Sequence, residues 1–255
     1  MRRISAFLIW AALCAAVYCL FIPPGRSFGW LEISVFMGVF AFLVYPSLLD
    51  LHLTFWRLFL DCYLDRDSFA YRLFYRGTFI RVMTLFSAMI SSYLAFYTFL
   101  MAGERPEMPL TLAAGALALI PLFDRDNFRV PILAKPLKRF FAKYLAAFYL
   151  ALVSAALLTI IDFARPETIA IDEIFIRSAE AVSSGRVSFH PIRVLARHEY
   201  AFEILLRQLI TVDYVKYAAG LALFISAFGA CFGIMLAVRR AYGLPLEVLE
   251  QTREQ

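Results

Sequence analysis

"KYAAGLALFISAFGACFGIMLAVRR" occupies residues 216–240, and residues 217–238 within it contain no Asp, Glu, Lys, Arg or His. As a helix that uncharged run rises ~33 Å, about the ~30 Å thickness of a bilayer's hydrocarbon core. A membrane-spanning helix is the expected result, bracketed by Lys216 at one end and Arg239 and Arg240 at the other.

The rest of the 255-residue chain has the same character. Its hydrophobic fraction is 62% and its mean hydropathy +0.72. Soluble domains run to about 45–50% apolar. Six apolar segments stand out, at about 4–22, 29–49, 79–102, 109–123, 138–161 and 215–238. Segment 4–22 exceeds the ~7–15 residues of a signal-peptide core and is read as an uncleaved first helix. Segment 109–123 is short for a span, and Pro109 and Pro121 sit at its ends.

The expected fold is an all-α, polytopic membrane bundle of about six transmembrane helices with interfacial amphipathic helices. Residues 1–161 hold spans one to five, with an inner interfacial segment at 50–77. Residues 162–214 form an outer helical segment, and 215–255 form span six and a short tail.

Basic residues orient the bundle. With both termini inside, most of the 25 Lys and Arg fall on the inner side, including the stretch "DRDNFRVPILAKPLKRFFAK" at 124–143. The expected location is a cell membrane, the inner membrane of a bacterium, with cytoplasmic termini. The net charge of +5 lies beside helix ends rather than in a separate basic block, which argues against nucleic-acid binding. Cys14, Cys19, Cys62 and Cys231 form neither a disulfide framework nor a zinc pattern.

Small residues predict close helix packing, since lipid supplies no hydrophobic drive for association. Gly229 and Gly233 make a small-xxx-small pair, flanked by Ser226 and Ala230. Thr84, Ser87, Ser91, Ala95 and Thr98 form a second small ridge in segment three.

"DRDSF" at 65–69 and "DRDNF" at 124–128 invite a metal reading. Phe69 and Phe128 occupy positions where a calcium loop needs an oxygen, and no Gly follows. Turn and cap chemistry accounts for them better: Asp67 or Ser68 can cap a following helix. The helix is expected to break at this point, leaving two short interfacial pieces.

The outer segment suggests a short helix at 170–182 and an amphipathic one from about 191 to 213. Arg193, Arg197 and Arg207 share one face. Phe202, Leu205, Leu206 and Leu209 occupy the other, with His198 among them. "HEYAF" puts Glu203 near the place of the second His of a zinc motif, so His198 reads as a buried or interfacial histidine. Arg193, Arg197, Phe202, Arg207 and Leu209 are the candidate partner-binding residues.

No helix centre carries an ionisable group, which disfavours ion-coupled transport. The best catalytic cluster, Asp50, His52, Asp61, Asp65 and Asp67, matches no mechanism. No catalytic set, metal ligands or cofactor is therefore assigned. The expected function is a non-catalytic subunit or scaffold of a membrane complex. The expected partners are the lipid bilayer and another membrane protein or a second copy. The alternatives are a permease or channel component for an apolar or lipidic substrate, and an interface enzyme acting on lipid headgroups.

Overall fold

A computed structural model describes residues 28–63, 65, 67–75, 77–123, 135–165, 168–183 and 187–254. These residues are helical throughout, apart from short turns and one isolated bridge between Phe28 and Val187. The helices are α1 (Trp30–Tyr63), α2 (Phe69–Tyr75), α3 (Thr78–Leu100), α4 (Glu107–Phe123), α5 (Lys135–Ala164), α6 (Ile171–Ala181), α7 (His190–Leu209) and α8 (Lys216–Glu254). A single 3-10 turn, Met101–Gly103, joins α3 towards α4.

Four of these helices are long and apolar enough to cross a membrane: α1, α3, Tyr144–Ala164 of α5 and Lys216–Arg240 of α8. Two of the six expected spans are not among them. Segment 4–22 lies outside the described residues, and the 17-residue α4 rises only ~25 Å.

The bundle core joins α1, α3, α4, α5 and α8 through Val44, Leu48, Ala88, Ala95, Met108, Leu112, Ala147, Ala151, Ile234 and Met235. Small side chains set the spacing. A Cβ added at Gly115 of α4 would lie 2.5 Å from Met235 Cε and 2.9 Å from Ser154 Oγ. That glycine lets α4 sit against both α5 and α8. Of the predicted packing pair, Gly233 is the tighter, with Ser91 Cβ of α3 2.9 Å from an added Cβ. Gly229 meets only Leu94 Cδ1 at 3.5 Å, an ordinary contact. Ser226 and Ala230 are half-buried beside a cavity near α3 and α5.

The helix expected over 29–49 does not stop there. It continues through Pro46 to Tyr63, because no glycine or second proline interrupts residues 50–63. The break falls at the "DRD" stretch, so α2 is separate while the preceding piece belongs to α1. Asp65 accepts the Ser68 N–H through its backbone carbonyl and the Asp67 N–H through Oδ1. Ser68 Oγ then accepts the Tyr71 N–H at 3.1 Å. Ser68, rather than Asp67, serves as the cap of α2. The second copy of the motif lies outside the described residues.

Residues 168–183 and 187–209 fold over one end of the bundle, hereafter the capped end. Phe28, Ile33 of α1, Tyr93, Phe96, Tyr97 and Leu100 of α3 and Met101 of the 3-10 turn share a second core with Ile174, Val182, Ala196, Tyr200 and Ile204. The bridge strengthens this join, with both the backbone N–H and the hydroxyl of Ser188 donating to the Phe28 carbonyl.

Candidate functional site: a buried charge network at the capped end

Four charged side chains from three parts of the sequence meet on the inner face of α7. Arg105 leaves the turn after α3, Asp162 stands in the last turn of α5, and Glu203 and Arg207 lie one turn apart on α7. All four are buried, between 3% and 6% exposed. Arg105 is the hub. Its Nη2 pairs with Asp162 Oδ1, its Nη1 lies 3.3 Å from Glu203 Oε2, and its Nε lies 3.1 Å from Glu107 Oε1. Arg207 Nε is 3.2 Å from the same Asp162 oxygen. The Tyr97 hydroxyl donates to Glu203 Oε2 at 3.1 Å.

The electrostatics are self-consistent. Burial alone would lower the pKa of the Arg105 guanidinium, but Glu203, Asp162 and Glu107 outweigh it and hold the group above its ordinary value. Arg105 thus stays charged. Each carboxylate of the network lies between two guanidinium groups, so the arrangement suits fastening helices together. A cavity of about 20 Å³ adjoins the network. Tyr97, Arg105, Asp162 and Glu203 form its polar side, while Leu94, Leu158, Ser226, Ala227 and Ala230 form the other. It has room for about one water molecule.

The candidate partner-binding residues separate in space. Arg207 faces inward into the network. Arg197 Nε donates to the Val182 carbonyl at 3.1 Å and ties α7 to the end of α6. Arg193 is half-buried, its Nε enclosed without a hydrogen-bond partner among the described residues. Leu209 packs beside Leu206, Ile210, Ala219 and Leu223, whereas Phe202 is 52% exposed. His198 is also exposed. The buried face of α7 is therefore its Glu203–Arg207 face, and the apolar Leu195, Phe202 and Leu205 point outward.

The network is hard to see in the sequence: Arg207 falls on the Arg face of the outer helix and Glu203 beside an incomplete zinc pattern, while Arg105 and Asp162 belong to no motif. The available signal was that Arg105 and Asp162 flank apolar segments on the same expected side, with an i,i+4 pair of opposite charges nearby.

At the far end of the bundle the acidic cluster does not converge on a common centre. Tyr144 OH donates to Asp50 Oδ2 at 2.7 Å, and Arg239 lies 4.9 Å from the centre of the same ring. His52 Nδ1 meets Thr84 Oγ1 at 2.9 Å, and Tyr71 OH donates to Asp61 Oδ1 at 3.0 Å. Among the described residues, no group of three or more His, Cys, Asp or Glu is placed to hold a metal ion. No family model, characterised protein or solved structure matches the chain.

Proposed function

We propose that the chain is a non-catalytic scaffold subunit of a membrane protein complex, docking a partner through its capped end. The observation that carries this reading is the patch on α6. Phe175 and Ile176 stand adjacent and 60% exposed, with the exposed Asp172, Glu173, Arg177 and Glu180 around them. An apolar anchor within a charged rim has the anatomy of a protein-docking surface. The charge network supports the same reading, since it fastens α7, and through it α6, as a rigid platform. We further propose six crossings, with 4–22 and 109–123 supplying two, in a bacterial inner membrane. Both termini are then cytoplasmic and the capped end is outside.

Purification in gentle detergent followed by mass spectrometry tests the scaffold reading. A stoichiometric membrane partner is expected, and it should be lost from the Phe175→Ser/Ile176→Ser variant at unchanged expression. Purification of the chain alone, together with cargo-dependent flux in vesicles, would transfer the assignment to the permease alternative. Single cysteines at Glu104 and Lys135 test the topology. Glu104 should react with an impermeant reagent from outside, and Lys135 only after the membrane is opened.

A further inference from the structure

α7 is apolar on two sides, for its inner face buries Ala196, Tyr200, Ala201, Ile204 and Leu206. Its charged Glu203 and Arg207 are buried, while Leu195 (46% exposed), Phe202, Leu205 and, just beyond the helix, Val212 face outward. These positions follow a 3-4 spacing along one side, with the exposed His198 between the first two. A water-facing helix would carry polar groups on that outer side, since large apolar groups seldom line up in contact with water.

The depth of α7 supplies the reason. Its inner face packs on Tyr93, Phe96 and Tyr97 of α3 and on Ala219 and Leu223 of α8. Those residues lie three to seven positions inside the helix ends at Leu100 and Lys216, which is ~5–10 Å along the axis. The 23 residues of α3 rise ~34 Å, so its ends stand only ~2 Å clear of a ~30 Å hydrocarbon layer. The aromatic residues at that end mark the same boundary: Trp30 opens α1, and Tyr214 and Tyr217 flank the start of α8, all three exposed. Tyr and Trp gather at the membrane–water interface. Below this belt, the outward apolar side of α8 continues through Leu221 and Ile225.

We infer that α7 lies within the lipid leaflet at the capped end, with Leu195, Phe202 and Leu205 against acyl chains and its charges turned into the protein. The network then has a second purpose: it neutralises, inside the protein, charges that lipid could not solvate. His198 lies on this stripe between Leu195 and Phe202, and Glu199 next to it is half-buried. This inference rests on the membrane reading and not on the α6 docking surface, so either can fail alone.

Nitroxide labels read the environment directly. Cysteines at Phe202 and Leu205, with Arg177 on α6 as control, would be labelled after Cys14, Cys19, Cys62 and Cys231 are changed to Ser. The protein would be placed in vesicles of phosphatidylethanolamine and phosphatidylglycerol. Labels at 202 and 205 should collide more often with oxygen than with a water-soluble nickel chelate, and the label at 177 should show the reverse order. Chelate-dominated collisions at 202 and 205 would place the stripe in water and overturn the inference. Low collision with both reagents would mean that protein covers the stripe, and would overturn it equally. If the cysteine-free chain does not fold, Phe202→Trp in the otherwise native chain replaces it. Quenching by brominated acyl chains above the wild-type level is expected, and no added quenching refutes the lipid contact.

Discussion

The two ends of the bundle both gather ionisable residues, but they handle them in opposite ways. At the capped end, Asp162 and Glu203 share the guanidinium groups of Arg105 and Arg207, so every charge leans on at least two others. At the far end, Asp50, His52 and Asp61 each hold a hydroxyl of their own, on Tyr144, Thr84 and Tyr71. The far end is also wedged by aromatic rings, with Trp56 stacked on Phe74 at 5.5 Å and Phe74 edge-on to Phe79 at 5.0 Å. The difference teaches what a deletion leaves behind. Removing a member of the network strands buried charges, whereas removing a far-end hydroxyl takes one contact from a side chain that is half-buried or exposed.

The largest effect is expected from breaking the network. Glu203→Ala and Arg105→Ala should each cost about 3–5 kcal/mol, because an unpaired buried charge remains. Thermal unfolding of the purified protein should show a large drop in midpoint for both, and near-wild-type midpoints would mean that water screens the cluster. Tyr144→Phe probes the far end. It removes the hydroxyl that donates to the Asp50 carboxylate while keeping the ring under Arg239, a loss of about 1.5–3 kcal/mol in the same assay. A cost above that of Glu203→Ala would invert the comparison.

Ser68→Ala should be smaller still, about 1 kcal/mol, since only the cap of a seven-residue helix is lost. Amide exchange in α2 should rise while α3 stays protected, and uniform exchange across both helices would contradict a local role.

The smallest effect has the opposite sign. Burial, with help from Glu203, raises the Glu199 carboxyl above its ordinary value of 4.5. A carboxyl whose folded pKa is raised favours folding below the unfolded value, and that benefit fades as pH rises through the folded one. Glu199→Gln should therefore stabilise the protein slightly at neutral pH, with the advantage vanishing by about pH 4. Midpoints measured across pH 4–8 would show it, and a destabilised variant at pH 7 would point to an interaction specific to the carboxylate.

Much of the fold was legible along the chain because lipid imposes a length and an absence of charge that a linear reading can see. The apolar runs in α1, α3, α5 and α8 needed no tertiary information. The break at "DRD" was legible too, since Asp and Ser compete with helix for backbone hydrogen bonds. The extension of α1 to Tyr63 was not, because the change from apolar to amphipathic sequence near residue 50 looks like a boundary although no helix breaker stands there. Nor could a projection of α7 say which face turns inward. Amphipathicity shows that two faces differ, and only the neighbouring elements decide which one each solvent receives.

By itself, then, the sequence determined a helical chain, the four helices long and apolar enough to cross a membrane, and the small-residue pair Gly229 and Gly233, of which the structure makes Gly233 the close contact. Those properties depend on neighbours in the chain, on helix rise and on transfer from water. The tertiary structure alone decided that Arg105, Asp162, Glu203 and Arg207 form one network, and that α7 carries its charges inward. Each of those charges becomes tolerable only when partners up to 98 positions away arrive at hydrogen-bonding distance. No local pattern encodes that meeting.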